Sequence, residues 1–367
     1  MKAQTHNITV IGLGLMGGSL CRAIRRFLPQ TCLIGVDSNP ILKKALAVKL
    51  VDKVFSIEHL AEACGEADMV LIATPISNAL AMLPAIAEAT DRDTIVSDVC
   101  SIKGPIMEQA RQSFHPQCGV FIGGHPMAGG EKQGLEYADQ FLFQNAIYIL
   151  TPQPDTPECA ISTLADAIQR LGAHVVLLDA ETHDQIAATV SHLPQILAVA
   201  LMKYITQKNN ENPLYLRMAS GGFRDMTRIA SARFGIWKDI CEGNSRKIIE
   251  EMDAFAVVFR DLRGAVASGR LKEAFEQAAQ TRLSIPADTK GFLTPHFDIS
   301  IEVEDKPGVI AAISSLLAEA AINIKDIEVL KVRENEGGTM RLSFSSETDR
   351  RRSLHLLCEN GLKCSLR

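Results

Sequence analysis

The stretch at residues 7–37, NITVIGLGLMGGSLCRAIRRFLPQTCLIGVD, constrains the fold more than any other part of the chain. A short apolar strand at 8–11 runs into Gly12-x-Gly14-x-x-Gly17, a helix follows from about 16 to 26, and a second strand ends at Asp37. Gly12 permits a tight turn, Gly14 lets backbone amides approach a pyrophosphate, and Gly17 lets the helix pack closely on the strand. With Leu15 and Met16, the start of the helix presents unpaired N–H groups and a positive dipole end to phosphates. Asp37 lies 20 residues past Gly17, where a carboxylate accepts from a ribose 2′-hydroxyl. The same carboxylate repels a 2′-phosphate, and Ser38 and Asn39 supply no arginine to hold one. The stretch therefore predicts a Rossmann domain that prefers NAD to NADP.

The pattern continues as strands at 68–74, 94–98, 120–123, 146–150 and 174–178, separated by helices. Apolar runs of this length predict a parallel sheet covered on both faces, with ligands beyond the carboxyl ends of the strands. Those ends are Thr74-Pro75, the Asp98-Val99-Cys100-Ser101 stretch and Gly123-Gly124-His125-Pro126, so the polar interruptions converge on one crevice. From about Ala180 the strand signal stops. Residues 184–204 read as a helix kinked at Pro194, and further helices are predicted at 212–218, 224–235, 244–268 and 271–283. Residues 285–295, with two prolines and a glycine, read as a linker. Residues 296–367 follow the order βαββαβ, a ferredoxin-like unit with a hairpin turn at 336–338. The expected organisation is a Rossmann domain over 1–179, a helical domain over 180–284, and the ferredoxin-like domain over 296–367.

Composition narrows the partners. A net charge of −5 and a pI near 6.0 give no reason to expect nucleic acid or an anionic membrane. No apolar run approaches the roughly 20 residues of a membrane span, and MKAQTHN has no signal-peptide apolar region. Nine scattered cysteines without a CxxC suit reduced thiols in cytoplasm and argue against a disulfide framework or a metal site.

Five residues carry candidate chemistry. His125, in GGHPMAGGEKQG at the crevice mouth, has the right basicity to take a proton near neutral pH. Ser101 in VCSIK meets the same substrate hydroxyl or caps the helix starting near Gly104. His192 in SHLPQ lies one step off an apolar helix face, the usual setting of a structural histidine. Arg224 and Arg228, four apart, share a helix face, as a carboxylate ligand requires and as solvated arginines often do.

GLGLMGGS, ATP, SDVCSIK, GGHPMAG, HDQIAATVSHLPQ and GGFRDMTRIAS…IWKDICEGN, in this order and spacing, closely resemble the prephenate dehydrogenases of tyrosine biosynthesis. The last seventy or so residues, with VEDKPGVIAAISSLLAEAAINIKDIEV, resemble an ACT domain. The resemblance implies a homodimer built through the helical domain and NAD-dependent oxidative decarboxylation of prephenate to 4-hydroxyphenylpyruvate. It also implies that His125 is the catalytic histidine, Ser101 its partner at the substrate hydroxyl, and Arg228, His192 and Gln195 substrate-binding; Arg224 has no match and is left on the surface. Many prephenate-using members carry a second histidine where this chain has Gln195, so arogenate dehydrogenase is the alternative substrate reading. The ACT resemblance implies an L-tyrosine site at Asp305, Pro307, Gly308, Val309, Asn323 and Ile324, and feedback inhibition through it. Two further readings stand against this one. β-Hydroxyacid dehydrogenases place a catalytic lysine in the helical half, in a motif not found here. A catalytically silent NAD- and amino-acid-responsive regulator would have no need of His125, Ser101 and Arg228 together.

Overall fold

The computed structural model describes residues 6–130, 132–284, 297–304, 306–333 and 337–366. The predicted linker, Asp305, and residue 336 of the predicted hairpin turn fall outside them. The chain divides into two compact units, Met1–Phe275 and Glu276–Arg367.

In the first unit, eight strands form one sheet: β1 (Asn7–Ile11), β2 (Cys32–Val36), β3 (Lys53–Phe55), β4 (Met69–Ile72), β5 (Ile95–Asp98), β6 (Val120–Pro126), β7 (Ile147–Thr151) and β8 (His174–Leu177), in the order β3-β2-β1-β4-β5-β6-β7-β8. β3 has no signal in the sequence reading, being three residues of which Lys53 is exposed. Successive residues of the central strands enter different cores. Ile8, Val10, Met69 and Leu71 join one, packed with the helices Leu15–Phe27 and Glu158–Arg170, while Ile11, Val70, Ile72 and Val96 join the other. Both faces are thus buried, which is why these strands read as unbroken apolar runs rather than as alternation.

One pairing corrects the all-parallel expectation. β6 and β7 are antiparallel, with His125 opposite Ile149. Between them, the described residues of 127–146 form one short 3₁₀ turn, Leu135–Tyr137, and no crossover helix. Without a helix to carry the chain back across the sheet, the returning strand pairs antiparallel.

The helical half packs onto this sheet, with Ile240 and Trp237 joining the second core. The helical run Ala180–Glu211 differs from its prediction in two ways. Its break is a five-residue π-turn, Ala188–His192, directly before the turn that carries Pro194; proline offers no N–H to the preceding turn, and the wider turn accommodates it. At 32 residues it is also long and apolar enough to cross a bilayer, contrary to the sequence reading. Its buried side chains include His183, Asp184, His192 and Gln195, each with a protein hydrogen-bond partner, whereas Ile186 and Val190 are exposed. Only part of its apolar surface is therefore buried within this chain.

Arg224 and Arg228 do not share a helix. The helix Gly221–Thr227 ends and a 3₁₀ turn, Arg228–Ser231, begins. Thr227 Oγ1 donates back to the Phe223 carbonyl and Ser231 Oγ to that of Arg228, side-chain bonds that compete with a continuing helix.

The second unit is βαββαβ: β9 (Phe297–Val303), helix Val309–Glu319, β10 (Asp326–Arg333), β11 (Gly337–Phe344), helix Glu347–Glu359 and β12 (Cys364–Leu366). The sheet is antiparallel in the order β10-β11-β9-β12 around Ile299, Ile301, Leu317, Leu342 and Leu357.

Candidate active site

A cleft of about 740 Å³ opens beyond the carboxyl ends of β1, β4, β5 and β6. Of the residues singled out in the sequence, Gly14, Leu15, Met16, Thr74, Pro75, Ser101 and His125 line it. Gly12 lies beneath the loop at φ +88°, where a Cβ would stand 2.6 Å from the Ala73 carbonyl oxygen. The loop suits a dinucleotide on three counts. A Cβ on Gly14 would meet nothing within 4 Å, so the backbone there is open to the cleft. Gly14 caps the helix Leu15–Phe27 without a side-chain bond, which leaves its first N–H groups for a phosphate. The buried hydroxyl of Thr74 has no partner among the described residues. Asp37 anchors the loop too, accepting from the Leu13 N–H at 2.7 Å and the Ser38 N–H at 2.6 Å. A carboxylate has about four acceptor positions, so it still has capacity for a ribose hydroxyl.

His125 is part of β6 rather than of a loop, which fixes its backbone by sheet pairing. Gly124 before it is required by close approach: a Cβ would lie 2.4 Å from the Asp98 carbonyl oxygen. Beneath the strand lies a fully buried ion pair, Lys103 with Asp98, both 0% exposed. Lys103 Nζ also donates to the Gly124 carbonyl at 2.6 Å. Asp98 accepts from the backbone N–H groups of Gly124 and Cys100, each at 2.9 Å. The pair therefore ties the backbone beside His125 to the turn that carries Ser101.

Ser101 does not cap the following helix. Asp184, from the helical half, accepts from the Lys103 N–H and the Gly104 N–H at 2.7 Å each. It thereby caps the helix Gly104–Ser113 across a chain separation of 81 residues. Burial raises the Asp184 carboxyl pKa, but hydrogen bonds from His183 and these two amides outweigh it and hold the group below the ordinary carboxylate range. His183 Nδ1 lies 2.8 Å from Asp184 Oδ1, and His183 Nε2 lies 2.7 Å from His125 Nδ1. Burial, with His183, Lys103 and His192 nearby, pushes the His125 imidazole well below its usual range and so favours the neutral form. A half-buried neutral imidazole in a cleft is a proton acceptor in waiting.

The other predicted site residues are not on this cleft wall. His192 is buried, 3.3 Å from Asn244 Nδ2 and edge-on to Trp237. Gln195 is buried too and donates to the Ile229 carbonyl at 3.0 Å, so it anchors the turn that carries Arg228. Arg228 itself is exposed. A different arginine, Arg233, lines the cleft and donates to Gln133 at 3.3 Å. Sequence reasoning missed Lys103, Asp98, His183, Asp184 and Arg233. Four of them stood inside the quoted motifs SDVCSIK and HDQIAATVSHLPQ, where charged residues amid apolar ones were the available signal.

Residues 20–177 match the model for the nucleotide-binding domain of prephenate dehydrogenase, 179–280 that for its dimerization domain, and 297–355 the ACT domain. The chain belongs to the prephenate dehydrogenase family. It is 36% identical to the prephenate dehydrogenase of Bacillus subtilis over 96% of each chain. Among solved structures it is similar to prephenate dehydrogenase from A. aeolicus in complex with hydroxyphenyl propionate and NAD+. That match has 26% identity, covers 77% of this chain and 98% of that one, and has a TM-score of 0.67. It is also similar to Synechocystis arogenate dehydrogenase, with 30% identity, coverage of 75% and 97%, and a TM-score of 0.66. In the dimerization region Val190, Met226, Phe234, Val257, Val258 and Phe259 are all at least half exposed, an apolar surface of the kind a second subunit covers.

Proposed function

We propose that this protein is an NAD-dependent prephenate dehydrogenase that converts prephenate to 4-hydroxyphenylpyruvate and is inhibited by L-tyrosine. The observation that carries the reading is the juxtaposition, on one cleft, of an open glycine loop with Ser101 and a desolvated His125. When bound, the nicotinamide supplies the hydride acceptor for C4 of the substrate. His125 takes the proton of the 4-hydroxyl, and Ser101 hydrogen-bonds the same oxygen. The bond from ring to carboxylate then breaks; its electron pair completes the aromatic ring and carbon dioxide leaves. The phenolic oxygen regains a proton from His125, so the protein ends as it began. By the family motif, Arg228 holds the substrate carboxylate, with His192 and Gln195 supporting that region. The protein's contributions are alignment, charge compensation and a base.

The inhibitory site is assigned to the second unit. Gly308, at φ +91°, caps the helix Val309–Glu319 without a side-chain bond, leaving its first amides for a carboxylate. Pro307 and Asn323 are exposed, and Ile324 packs against the core of that unit.

Absorbance of NADH tests the reading, with prephenate and then arogenate as substrate. Turnover of prephenate is expected; turnover of arogenate alone would reassign the substrate, and turnover of neither would overturn the activity. Removal of residues 296–367 is expected to leave a dehydrogenase that tyrosine no longer inhibits. Undiminished inhibition after removal would place tyrosine at the cleft itself.

A further inference from the structure

Which nitrogen of His125 is free to take a proton depends on what its other nitrogen does, and oxidation of the ring's secondary alcohol needs a lone pair on the side of the substrate. Nδ1 is engaged, 2.7 Å from His183 Nε2. His183 Nδ1 is in turn 2.8 Å from Asp184 Oδ1. Asp184 is held ionised, so it accepts and does not donate. It already takes the amides of Lys103 and Gly104 and cannot rotate away without uncapping a helix. His183 must therefore direct its Nδ1–H at Asp184. In the neutral imidazole its Nε2 then has a lone pair, which accepts the Nδ1–H of His125.

We propose that His183 and Asp184 are positioning residues that hold His125 in the Nδ1–H tautomer, leaving its Nε2 lone pair for the substrate hydroxyl. The inference rests on the proposed dehydrogenase activity and adds two residues to it. The proton moves from the substrate oxygen to Nε2. The Nδ1–H bond to His183 is kept and strengthens as positive charge develops, with Asp184 compensating that charge through His183. His183 and Asp184 are 1% and 2% exposed, so neither is placed to touch a substrate in the cleft. Lys103 and His192 also face His125 and oppose its protonation, while Asp98 is paired with Lys103. Asp184, reached through His183, is thus the negative charge that offsets a transient imidazolium here, where burial and His183 itself oppose it.

The test uses the full chain, labelled with ¹⁵N at histidine, together with His183→Leu and His183→Gln. In the unsubstituted protein the His125 spectrum is expected to show a protonated Nδ1 and an unprotonated Nε2. His183→Leu, which cannot accept, is expected to shift that balance towards Nε2–H and to lower kcat by about 10²- to 10⁴-fold, with KM for NAD little changed. His183→Gln keeps an acceptor oxygen and is expected to restore the Nδ1–H signature and at least a tenth of the original kcat. A protonated Nε2 in the unsubstituted protein, or full activity in His183→Leu, overturns the proposal. The tautomer reading needs no substrate. An inactive protein with the expected spectrum would sink the proposed activity and leave the positioning inference standing.

Discussion

Lys103→Met removes an ammonium from a site where neither it nor its partner Asp98 has any exposure. Asp98 keeps its two backbone donors but loses the counter-charge, and the Gly124 carbonyl loses its side-chain donor. A lone buried carboxylate is costly because the interior cannot replace its hydration. Removing one member of such a pair typically destabilises by about 3–5 kcal/mol, of which charge-assisted hydrogen bonds account for about 1.5–3 kcal/mol. The double substitution Asp98→Asn with Lys103→Met leaves no charge, so its cost should fall short of the sum of the singles by about 0.5–3 kcal/mol. Urea denaturation followed by the fluorescence of Trp237, the one tryptophan, reports the first unit separately from the second. The same substitution loosens the backbone beside His125 and the turn that carries Ser101, so kcat should fall along with stability. A loss below about 1 kcal/mol, the range of ordinary surface changes, or strict additivity in the double mutant, would mean that the pair does not bear on this strand as argued.

Three further predictions follow from the site. Arg228→Ala should raise KM for prephenate by the value of a charge-assisted bond, about 1.5–3 kcal/mol or roughly 10- to 150-fold; a larger effect from Arg233→Ala in the same assay would move the carboxylate ligand to the arginine that lines the cleft. Asp37→Ser should narrow the preference for NAD over NADP and weaken NAD binding, since it also frees the Leu13 amide; equal KM values for both nucleotides in the unsubstituted protein would refute the role of Asp37. Burial lowers the His192 pKa from 6.5 to about 4, so within that window the unfolded chain binds more protons and stability must fall as pH falls; a denaturation midpoint that stays level down to about pH 4 would contradict it, as would an unchanged slope in His192→Gln.

The glycine loop, the acid at the end of the second strand, and the convergence of Thr74, Pro75, Ser101 and His125 on one crevice were legible in the sequence. Each depends on local rules: a turn that needs glycine, a strand that must end where its apolar run ends, and a sheet that puts those ends on one edge. The antiparallel course of β7 was not legible, because whether a 20-residue connection crosses the sheet or turns back depends on what it packs against. The break between Arg224 and Arg228 was hidden for a related reason: four-residue spacing permits one helix but does not require it, and side-chain hydroxyls took the backbone carbonyls instead.

The sequence by itself determined most of the elements, the glycine turn and the candidate base, His125. The tertiary structure alone decided what surrounds that base. His183 lies 58 residues from His125, and Asp184 lies 81 from the amide it caps; Lys103 and Asp98 are close in sequence yet meet Gly124 only through sheet pairing. Local sequence sets a residue's backbone preference and its chemical capacity. Which charge or hydrogen-bond partner stands opposite a side chain, and how far water is excluded from it, is set by residues remote in the chain, and those two quantities tune a proton acceptor.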